Sequence, residues 1–357
     1  MTRKRLRDLG ITIGTLPTGP NNAITDVDGV RVGHTTLITD EPRIARTGVT
    51  MVVPRDGSIW HDNAPAAYHI LNGAGEMSGT HWLNEVGVLS SPIGLTNTHQ
   101  VGLLRDSMES YAYEKGFTSS FLLPVATETY DGWLNDIYAA HVTKADIYHA
   151  IDSATSGPVA EGNVGGGTGM ICHEFKGGIG TSSRVIEVKS GRFTIGVLVQ
   201  ANYGDRKHLR IDGVPIGLEL DYDHTPRAKI EYHPEGSIIV IIATDAPLTP
   251  GQCKRLAQRA TIGLGRVGGM GHTSSGDIFL AFATGNHIPD RSDNLIDLKM
   301  LPHLHLDPFF DGVVEATEEA IINALCMAET MVGFKGRTVY ELPLDEVQRV
   351  MKKYNRL

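Results

Sequence analysis

The chain has 357 residues, an apolar fraction of 41% and a formal net charge of −9 at neutral pH. This length and composition predict a globular protein with a sizeable core, and the lack of a basic stripe argues against nucleic acid as a partner. The three cysteines form no CxxC pair, which argues against a disulfide scaffold or a zinc ribbon. Because no run of about 18 apolar residues occurs, we expect a cytoplasmic protein without a membrane partner.

The predicted elements mix strands and helices along the whole chain. Strands are predicted where valine and isoleucine are dense, at residues 24–34, 47–53, 193–199, 237–244 and 278–282. Helices are predicted from apolar spacing, at residues 100–113, 144–154, 250–259, 312–331 and 344–354. The elements interleave without strict alternation, which predicts a layered α/β fold with helices covering stacked sheets. No linker or repeat marks a boundary, so we expect residues 1–357 to form a single domain.

Two glycine-rich stretches resemble the motifs of ligand-binding loops but lack the flanking residues or secondary structure that such loops require. GLGRVG at residues 263–268 fits GxGxxG, but it follows a predicted helix and precedes a strand, the reverse of a dinucleotide site. We interpret it as a run of turn residues. GGGTG at residues 165–169 lacks the lysine of a P-loop, and we expect it to let two backbones approach closely or to wall a cleft. The 15 histidines form no metal-binding motif, so neither a cofactor nor a metal is expected.

A short polar stretch, TSSGD at residues 273–277, comes directly before a predicted strand. Neither GxSxG nor SxxK surrounds its serines, so no familiar base is supplied to activate a hydroxyl. If the peptide bond before Ser275 were cut, the new α-amine, with a pKa of about 7.7 to 8.0, could serve as that base. From these residues alone, a serine-rich turn without catalytic function remains an open alternative.

Longer motifs extend this observation over nearly the whole chain. They are ITDVDGVRVGH at 24–34, NVGGGTGMICHEFKGGIGTSSR at 163–184, LVQANYGDR at 198–206, RIDGVP at 210–215, ATDAPLTP at 243–250, SGDIFLAFATGN at 275–286 and ATEEAIINAL at 316–325. In this order they resemble the DmpA family of L-aminopeptidase/D-amidase-esterases and β-aminopeptidases, which are serine-type peptidases. The resemblance implies a four-layer αββα sandwich similar to N-terminal nucleophile hydrolases but differently connected, and a homo-oligomer, a tetramer.

The resemblance also implies that the chain cuts itself before a serine. The matching residue is Ser275, so the cut would lie between Ser274 and Ser275 and give fragments 1–274 and 275–357. Because Thr273 and Ser274 stand where glycine or asparagine is common in the family, a cut before Ser274 stays open.

Further site residues follow from the same resemblance. Asn202 in QANYG and Tyr130 in ETYDG match the family's oxyanion-binding pair, and neutral donors of this kind can stabilise developing negative charge. Thr317 and Glu319 match a hydroxyl and a glutamate that lie near the nucleophile. Residues two apart on a regular helix point about 200 degrees away from each other, so this pair requires an irregular backbone. Val313 with Glu315 is the second choice.

The implied activity is acyl transfer by an aminopeptidase. Ser275 would attack the carbonyl of an amino-acid amide, an ester or a short peptide, and water would release the acyl-enzyme. The carboxyls of Glu128, Asp131 and Glu319 are candidates for binding the amino group of the substrate. A non-catalytic binding protein of the same fold and an acyltransferase remain alternatives. The sequence does not decide the stereochemistry of the substrate or the choice between α- and β-amino acids.

Overall fold

Two β-sheets lie at the centre of the computed structural model, which describes residues 3–118, 121–220, 222, 225–226 and 236–357. The strands are β1 Arg31–Thr39, β2 Ala45–Val53, β3 Asp62–Gly73, β4 Val88–Leu89, β5 Ile93–Asn97, β6 Val125–Thr129, β7 Ile171–Cys172, β8 Phe175–Lys176, β9 Gly178–Val188, β10 Gly191–Asn202, β11 Ser237–Thr244, β12 Gly276–Ala283, β13 Ile288–Pro289, β14 Met331–Val332 and β15 Thr338–Val339. The helices are α1 Thr80–Val86, α2 Val101–Glu114, α3 Lys144–Asp152, α4 Ile216–Glu219, α5 Pro250–Val267, α6 Asp307–Met327 and α7 Leu344–Lys353.

The two sheets differ in size and connection. Among the described residues, the smaller sheet has the strand order β1-β2-β5-β6, with the last pair parallel. The larger sheet has the order β13-β3-β12-β11-β10-β9, and β4 pairs with β3 outside this path. In the larger sheet β11 and β12 run parallel, while β9, β10 and β11 are successively antiparallel.

Burial along β11 shows how the layers stack. Its residues Ile238, Val240 and Ile242 pack with α5 and α6, whereas Ile239 and Ile241 pack between the two sheets. Successive side chains of a strand point to opposite faces, so a strand covered on both faces is apolar throughout. On the far side, α2 and α3 cover the smaller sheet. The layers are helix, sheet, sheet, helix, which confirms the predicted αββα sandwich.

Most predicted elements are confirmed to within a few residues at their ends, and two predictions were wrong. Residues 24–34 were expected to form one strand, but Ile24–Asp26 is a 3-10 turn and β1 begins at Arg31. The Asp26 carboxylate accepts the backbone N–H of Asn21 (3.0 Å) and Ala23 (3.1 Å), and such local bonds compete with a strand. The helix predicted at 250–259 continues as α5 to Val267.

The GLGRVG stretch therefore lies in the last turns of α5 and is not a run of turn residues. A Cβ on Gly263 would lie 2.7 Å from the Cβ of Thr317 on α6, so the glycine allows the two helices to approach closely. Gly268 ends α5 in the left-handed region, at φ 104°. The glycines serve helix packing and helix termination, and the helix N-terminus that a dinucleotide requires is at the other end of α5.

The described part of the chain has neither a helix fit to span a membrane nor a cluster of metal ligands. None of its helices is both long enough and apolar enough to span a membrane. It also contains no group of three or more His, Cys, Asp or Glu side chains placed to hold a metal ion.

We expect Gly263→Ala and Gly265→Ala to change stability in opposite directions. The first change forces α5 away from α6 and should lower the free energy of unfolding by about 1 to 3 kcal/mol. Gly265 has nothing within 4 Å of its Cβ position, so alanine there should stabilise the helix by about 0.5 to 1 kcal/mol. Urea denaturation of the two variants measures both changes, and destabilisation of equal size in both would contradict this account of helix packing.

Candidate active site

The ends of neighbouring strands bring three of the predicted site residues, Ser275, Asn202 and Tyr130, to one edge of the larger sheet. Asn202, the last residue of β10, pairs with Ser237, the first residue of β11. The next residue of β11, Ile238, pairs with Asp277 of β12, so Ser275 lies at the same edge, just before β12. Tyr130 follows the last residue of β6 in the smaller sheet. The site therefore lies where the two sheets open at one end.

An open cavity lies at this edge, and Ser275, Tyr130 and Asn202 all line it. Its apolar and aromatic wall is formed by Trp133, Ile171, Tyr203, Leu264 and Met270. The acidic lining residues are Glu174, Asp205 and Asp277, and the described lining contains neither lysine nor arginine. The cavity therefore combines apolar surface with a negative field, which suits a small ligand that carries an amino group.

Ser275 is held firmly at the floor of this cavity and is only 5% exposed. Its hydroxyl is within hydrogen-bond distance of two acceptors, the Gly236 carbonyl and Asp277 Oδ1, the latter at 2.7 Å. Its N–H donates to the His272 carbonyl (2.9 Å), and its own carbonyl accepts from the Asn72 side chain. Ser275 is thus fixed by the sheet, in contrast to a residue of a loose serine-rich turn.

Asn202 and Tyr130 are joined to each other. The Asn202 side chain accepts from the Ile171 N–H (2.8 Å) and donates through Nδ2 to the Tyr130 carbonyl (2.9 Å). An amide nitrogen carries two hydrogens, so the second can serve a ligand in the cavity. The phenol of Tyr130 lies directly over Gly132, where a Cβ would lie 2.5 Å from the phenol carbon Cζ. Burial raises the pKa of Tyr130, which keeps its hydroxyl a neutral donor.

Among the described residues, Asp277 is the ionisable group that contacts the Ser275 hydroxyl. Burial raises its pKa to about 6, and the hydrogen bond from Ser275 and the charge of His272 act in the opposite direction. Its second oxygen, Oδ2, is buried without a hydrogen-bond partner, and no described lysine or arginine forms an ion pair with it. Asp277 is therefore a carboxylate that burial has made more basic than usual.

Thr317 and Glu319 do not line the cavity. Both lie within the regular helix α6, where residues two apart point about 200 degrees away from each other. Glu319 is buried and pairs with Arg184 (2.7 Å) and Arg7 (2.8 Å). Burial alone would raise its pKa, but the hydrogen bond from Arg7 and the charge of Arg184 lower it overall. Thr317 packs against Gly263 instead. This geometry gives no support to a role for the pair beside Ser275.

The second-choice pair is also remote from the cavity. Glu315 accepts from Arg184 (2.9 Å) and from the backbone N–H of Thr15 (2.9 Å), while Val313 is fully buried in the core. Arg184 thus connects both glutamates of α6 to β9. The three groups form one buried ion network that holds the helix on the sheet.

The other candidates for binding an amino group flank Tyr130 behind the cavity wall. Glu128 is 2% exposed and accepts from the Glu76 N–H (2.9 Å) and the Thr98 hydroxyl. Asp131 is 1% exposed and accepts from the Asn135 side chain (3.1 Å). Neither lines the cavity, and burial raises the pKa of Asp131 to about 7. These bonds hold the segment that carries Tyr130.

Comparison with known proteins identifies relatives of this chain. The family model described as Peptidase family S58 matches residues 22–339. The chain belongs to this peptidase family. It is 45% identical to "Beta-peptidyl aminopeptidase BapA" of Sphingosinicella microcystinivorans, over 99% of this chain and 93% of that protein.

Two solved structures match this S58 peptidase closely. The "Burkholderia sp. beta-aminopeptidase" superimposes with a TM-score of 0.93 at 47% identity, covering 98% of this chain and 99% of the other. The L-aminopeptidase D-Ala-esterase/amidase of Ochrobactrum anthropi, described as a variant of the Ntn hydrolase fold, gives 0.92 at 46% identity, covering 99% of each chain. The chain is thus an aminopeptidase of the N-terminal nucleophile class, and nothing favours a non-catalytic binding protein.

Sequence reasoning missed Asp277 and Asn72 of this S58 peptidase. Asp277 follows Ser275 by two positions at the start of a strand, a spacing that puts both side chains on the same face, so the signal was present. Asn72 contacts the site because β3 pairs with β12 in the register Asn72 to Asp277. Nothing in the local sequence of β3 indicates that partner.

We expect Arg184→Met to destabilise the peptidase by about 3 to 5 kcal/mol, because the buried carboxylates of Glu315 and Glu319 would lose their shared cation. Arg192→Met is the matched control, since Arg192 is exposed and lies 3.9 Å from exposed Glu187; it should change stability by less than about 0.5 kcal/mol. Urea denaturation compares the two, and equal effects would show that the buried network contributes little.

Proposed function

We propose that the chain cuts itself between Ser274 and Ser275 and that Ser275 then acts as the N-terminal nucleophile of an aminopeptidase. The products are fragments 1–274 and 275–357. The observation that carries the proposal is the cavity that Ser275 shares with Asn202 and Tyr130, a hydroxyl beside two oriented neutral donors. The membership of peptidase family S58 supports the same chemistry.

In the proposed reaction the free α-amine of Ser275 takes the proton of its own hydroxyl. The Ser275 oxygen attacks the carbonyl carbon of the substrate, and the amine or alcohol leaves with the proton from the α-ammonium. The second hydrogen of Asn202 Nδ2 and the Tyr130 hydroxyl donate to the oxyanion. Water then hydrolyses the acyl-enzyme by the reverse proton path, and no step requires a metal or a cofactor.

The substrate class follows from the cavity wall. Asp205, Asp277 and Glu174 attract the ammonium of an N-terminal amino acid, and the aromatic and apolar side chains accept its side chain. We therefore propose amino-acid amides, esters and short peptides with a free amino group as substrates. The names of the relatives, which include β-aminopeptidases and an L-aminopeptidase, support acceptance of both α- and β-amino acids.

We further propose a cytoplasmic homo-oligomer, a tetramer by resemblance, without a nucleic-acid partner. The three cysteines are free and buried, which suits a reducing compartment. Large apolar side chains are exposed at Leu295, Leu298, Met300 and Leu304, and another copy could cover them.

Intact-mass spectrometry of the denatured protein tests the self-cleavage. We expect two masses whose sum is that of the chain plus one water, with the smaller fragment beginning at Ser275. Ser275→Ala should give a single mass, because the attacking oxygen is absent. A fragment that begins at Ser274 would move the nucleophile by one residue, and a persistent single mass in the wild type would refute the proposed function.

We expect Asn202→Ala to lower kcat by about 100- to 1,000-fold and to change KM much less, because the lost N–H acts on the charge of the transition state. Tyr130→Phe should act in the same direction. The hydrolysis rates are measured with an amino-acid amide as substrate. Each rate is divided by the fraction of the protein that has been cut, which intact-mass spectrometry gives. Asn163→Ala is the control, since that half-buried side chain lies outside the cavity and, among the described residues, bonds to the backbone of Glu329. An equal loss in the control would contradict the assignment.

A further inference from the structure

The proposed function leaves one proton transfer without a base. The α-amine of Ser275 can accept a proton only after the bond to Ser274 has been cut. In the uncut chain that nitrogen is a peptide amide, and its N–H donates to the His272 carbonyl (2.9 Å). An amide nitrogen is not a useful base, so another group must take the Ser275 hydroxyl proton when the chain cuts itself.

Among the described residues, the surroundings of the Ser275 oxygen hold one group that can do this. The hydroxyl is within hydrogen-bond distance of the Gly236 carbonyl and of Asp277 Oδ1 (2.7 Å). A backbone carbonyl accepts a hydrogen bond but does not take the proton, whereas a carboxylate does. The Asn72 amide, which contacts the Ser275 carbonyl, is neutral. The distance to Asp277 is within the range required of a general base.

Asp277 differs from Glu319 of α6, a buried carboxyl that is paired with arginine. Glu319 is paired with Arg184 (2.7 Å), whose charge helps to lower the pKa of that carboxyl. Asp277 has no such partner among the described residues, and its Oδ2 is buried and unbonded. Burial raises its pKa to about 6, so at neutral pH it is mostly ionised yet more basic than an exposed aspartate.

We propose that Asp277 is the general base of the self-cleavage. Its carboxylate takes the Ser275 hydroxyl proton while Oγ bonds to the carbonyl carbon of Ser274. The bond from that carbon to the Ser275 nitrogen breaks, and the nitrogen leaves with the proton returned by Asp277. The result is an ester between Ser274 and Ser275 Oγ and a free α-amine. One water then hydrolyses the ester to the Ser274 carboxylate and the Ser275 hydroxyl, which balances the reaction.

Asn72 holds the backbone around the bond that is cut. Its Nδ2 donates to the Thr273 carbonyl (3.0 Å) and also to the Ser275 carbonyl, the groups on either side of Ser274. The Ala74 N–H adds a bond to the Ser275 carbonyl (3.3 Å). With the backbone held at both positions, the hydroxyl and Asp277 keep their relative orientation, which lowers the entropic cost of the attack.

Pulse-labelling in a cell-free translation system, followed by chase, measures the cutting of the full chain as it is made. Asp277→Asn keeps an oxygen that accepts the Ser275 hydrogen bond but cannot take its proton, so cutting should slow at least about 100-fold. Asp245→Asn is the matched control. That half-buried aspartate follows the far end of β11, accepts the Thr194 N–H (2.7 Å) and also has a pKa raised by burial. The Asp245→Asn chain should be cut at the wild-type rate.

Two readouts separate a base from a residue that only shapes the turn. Asp277 faces His272 in the preceding turn, Tyr203 after β10 and Asn72 on β3. If its ionised form is required, the wild-type cutting rate should fall as pH drops below about 6 and level off above it. In Asp277→Ala, added formate should accelerate cutting, because it supplies the missing carboxylate. A rate independent of pH from about 5 to 8, with no effect of formate, would overturn the proposal.

The outcomes distinguish this inference from the proposed function on which it rests. If Asp277→Asn is cut at a rate close to that of the wild type, yields a fragment beginning at Ser275 and hydrolyses amino-acid amides, the inference is refuted and the proposed function stands. If the wild-type chain is never cut, both fail. A slow Asp277→Asn, a normal Asp245→Asn and rescue of Asp277→Ala by formate would support the inference.

Discussion

The burial of the central strands β11 and β12 on both faces is the constraint on which the rest of this structure depends. Their alternate side chains fill two separate cores, one against α5 and α6 and one against the smaller sheet. A shift of one residue in register would exchange the two sets of side chains, so the strand ends are fixed with respect to each other. The site consists of those ends, and its geometry therefore follows from the packing of the core.

The same constraint explains the chemistry available at the site. Residues at the start of β12 lie between two neighbouring strands, so Ser275 and Asp277 are both shielded from water. Shielding makes the carboxyl more basic and strengthens hydrogen bonds to developing charge. Asn202 and Tyr130 reach the same space from two different sheets, and their mutual hydrogen bond holds the two donors in a fixed relation.

Sequence patterns predicted the elements whose signals are local. The apolar run of β11 and the regular spacing of α6 are of this kind, as was the layered architecture. The strand β9, GIGTSSRVIEV, was not predicted because its first half consists mostly of glycines and polar residues. These residues are buried under helix α6 and beside the ion network of Arg184, which the sequence pattern does not reveal. Likewise, the prediction ended α5 too early, because a glycine such as Gly263 often indicates a helix end. Here the glycine is needed because α6 packs closely against α5.

The candidate site shows the same division between local and distant signals. The motif around Ser275 and the resemblance identified three residues that line one cavity. The position of Glu319 could not be predicted, because its partner Arg184 lies 135 residues away in the chain. Asn72 and Gly236 contact Ser275 because the strands that carry or follow them, β3 and β11, pair with β12. No short sequence pattern predicts this pairing.

The place of β12 in the larger sheet has a consequence for the chain after a cut before Ser275. β12 lies between β11 and β3 and forms ladders with both, and α6, which also follows the cut, stays joined to β9 through Arg184. The shorter piece would thus supply the inner strand β12, the short edge strand β13 and the covering helix α6 to a sheet whose other strands come from the longer piece. Neither could separate without exposing the core of the other, so a single cut would turn one folded chain into two chains that stay bound to each other.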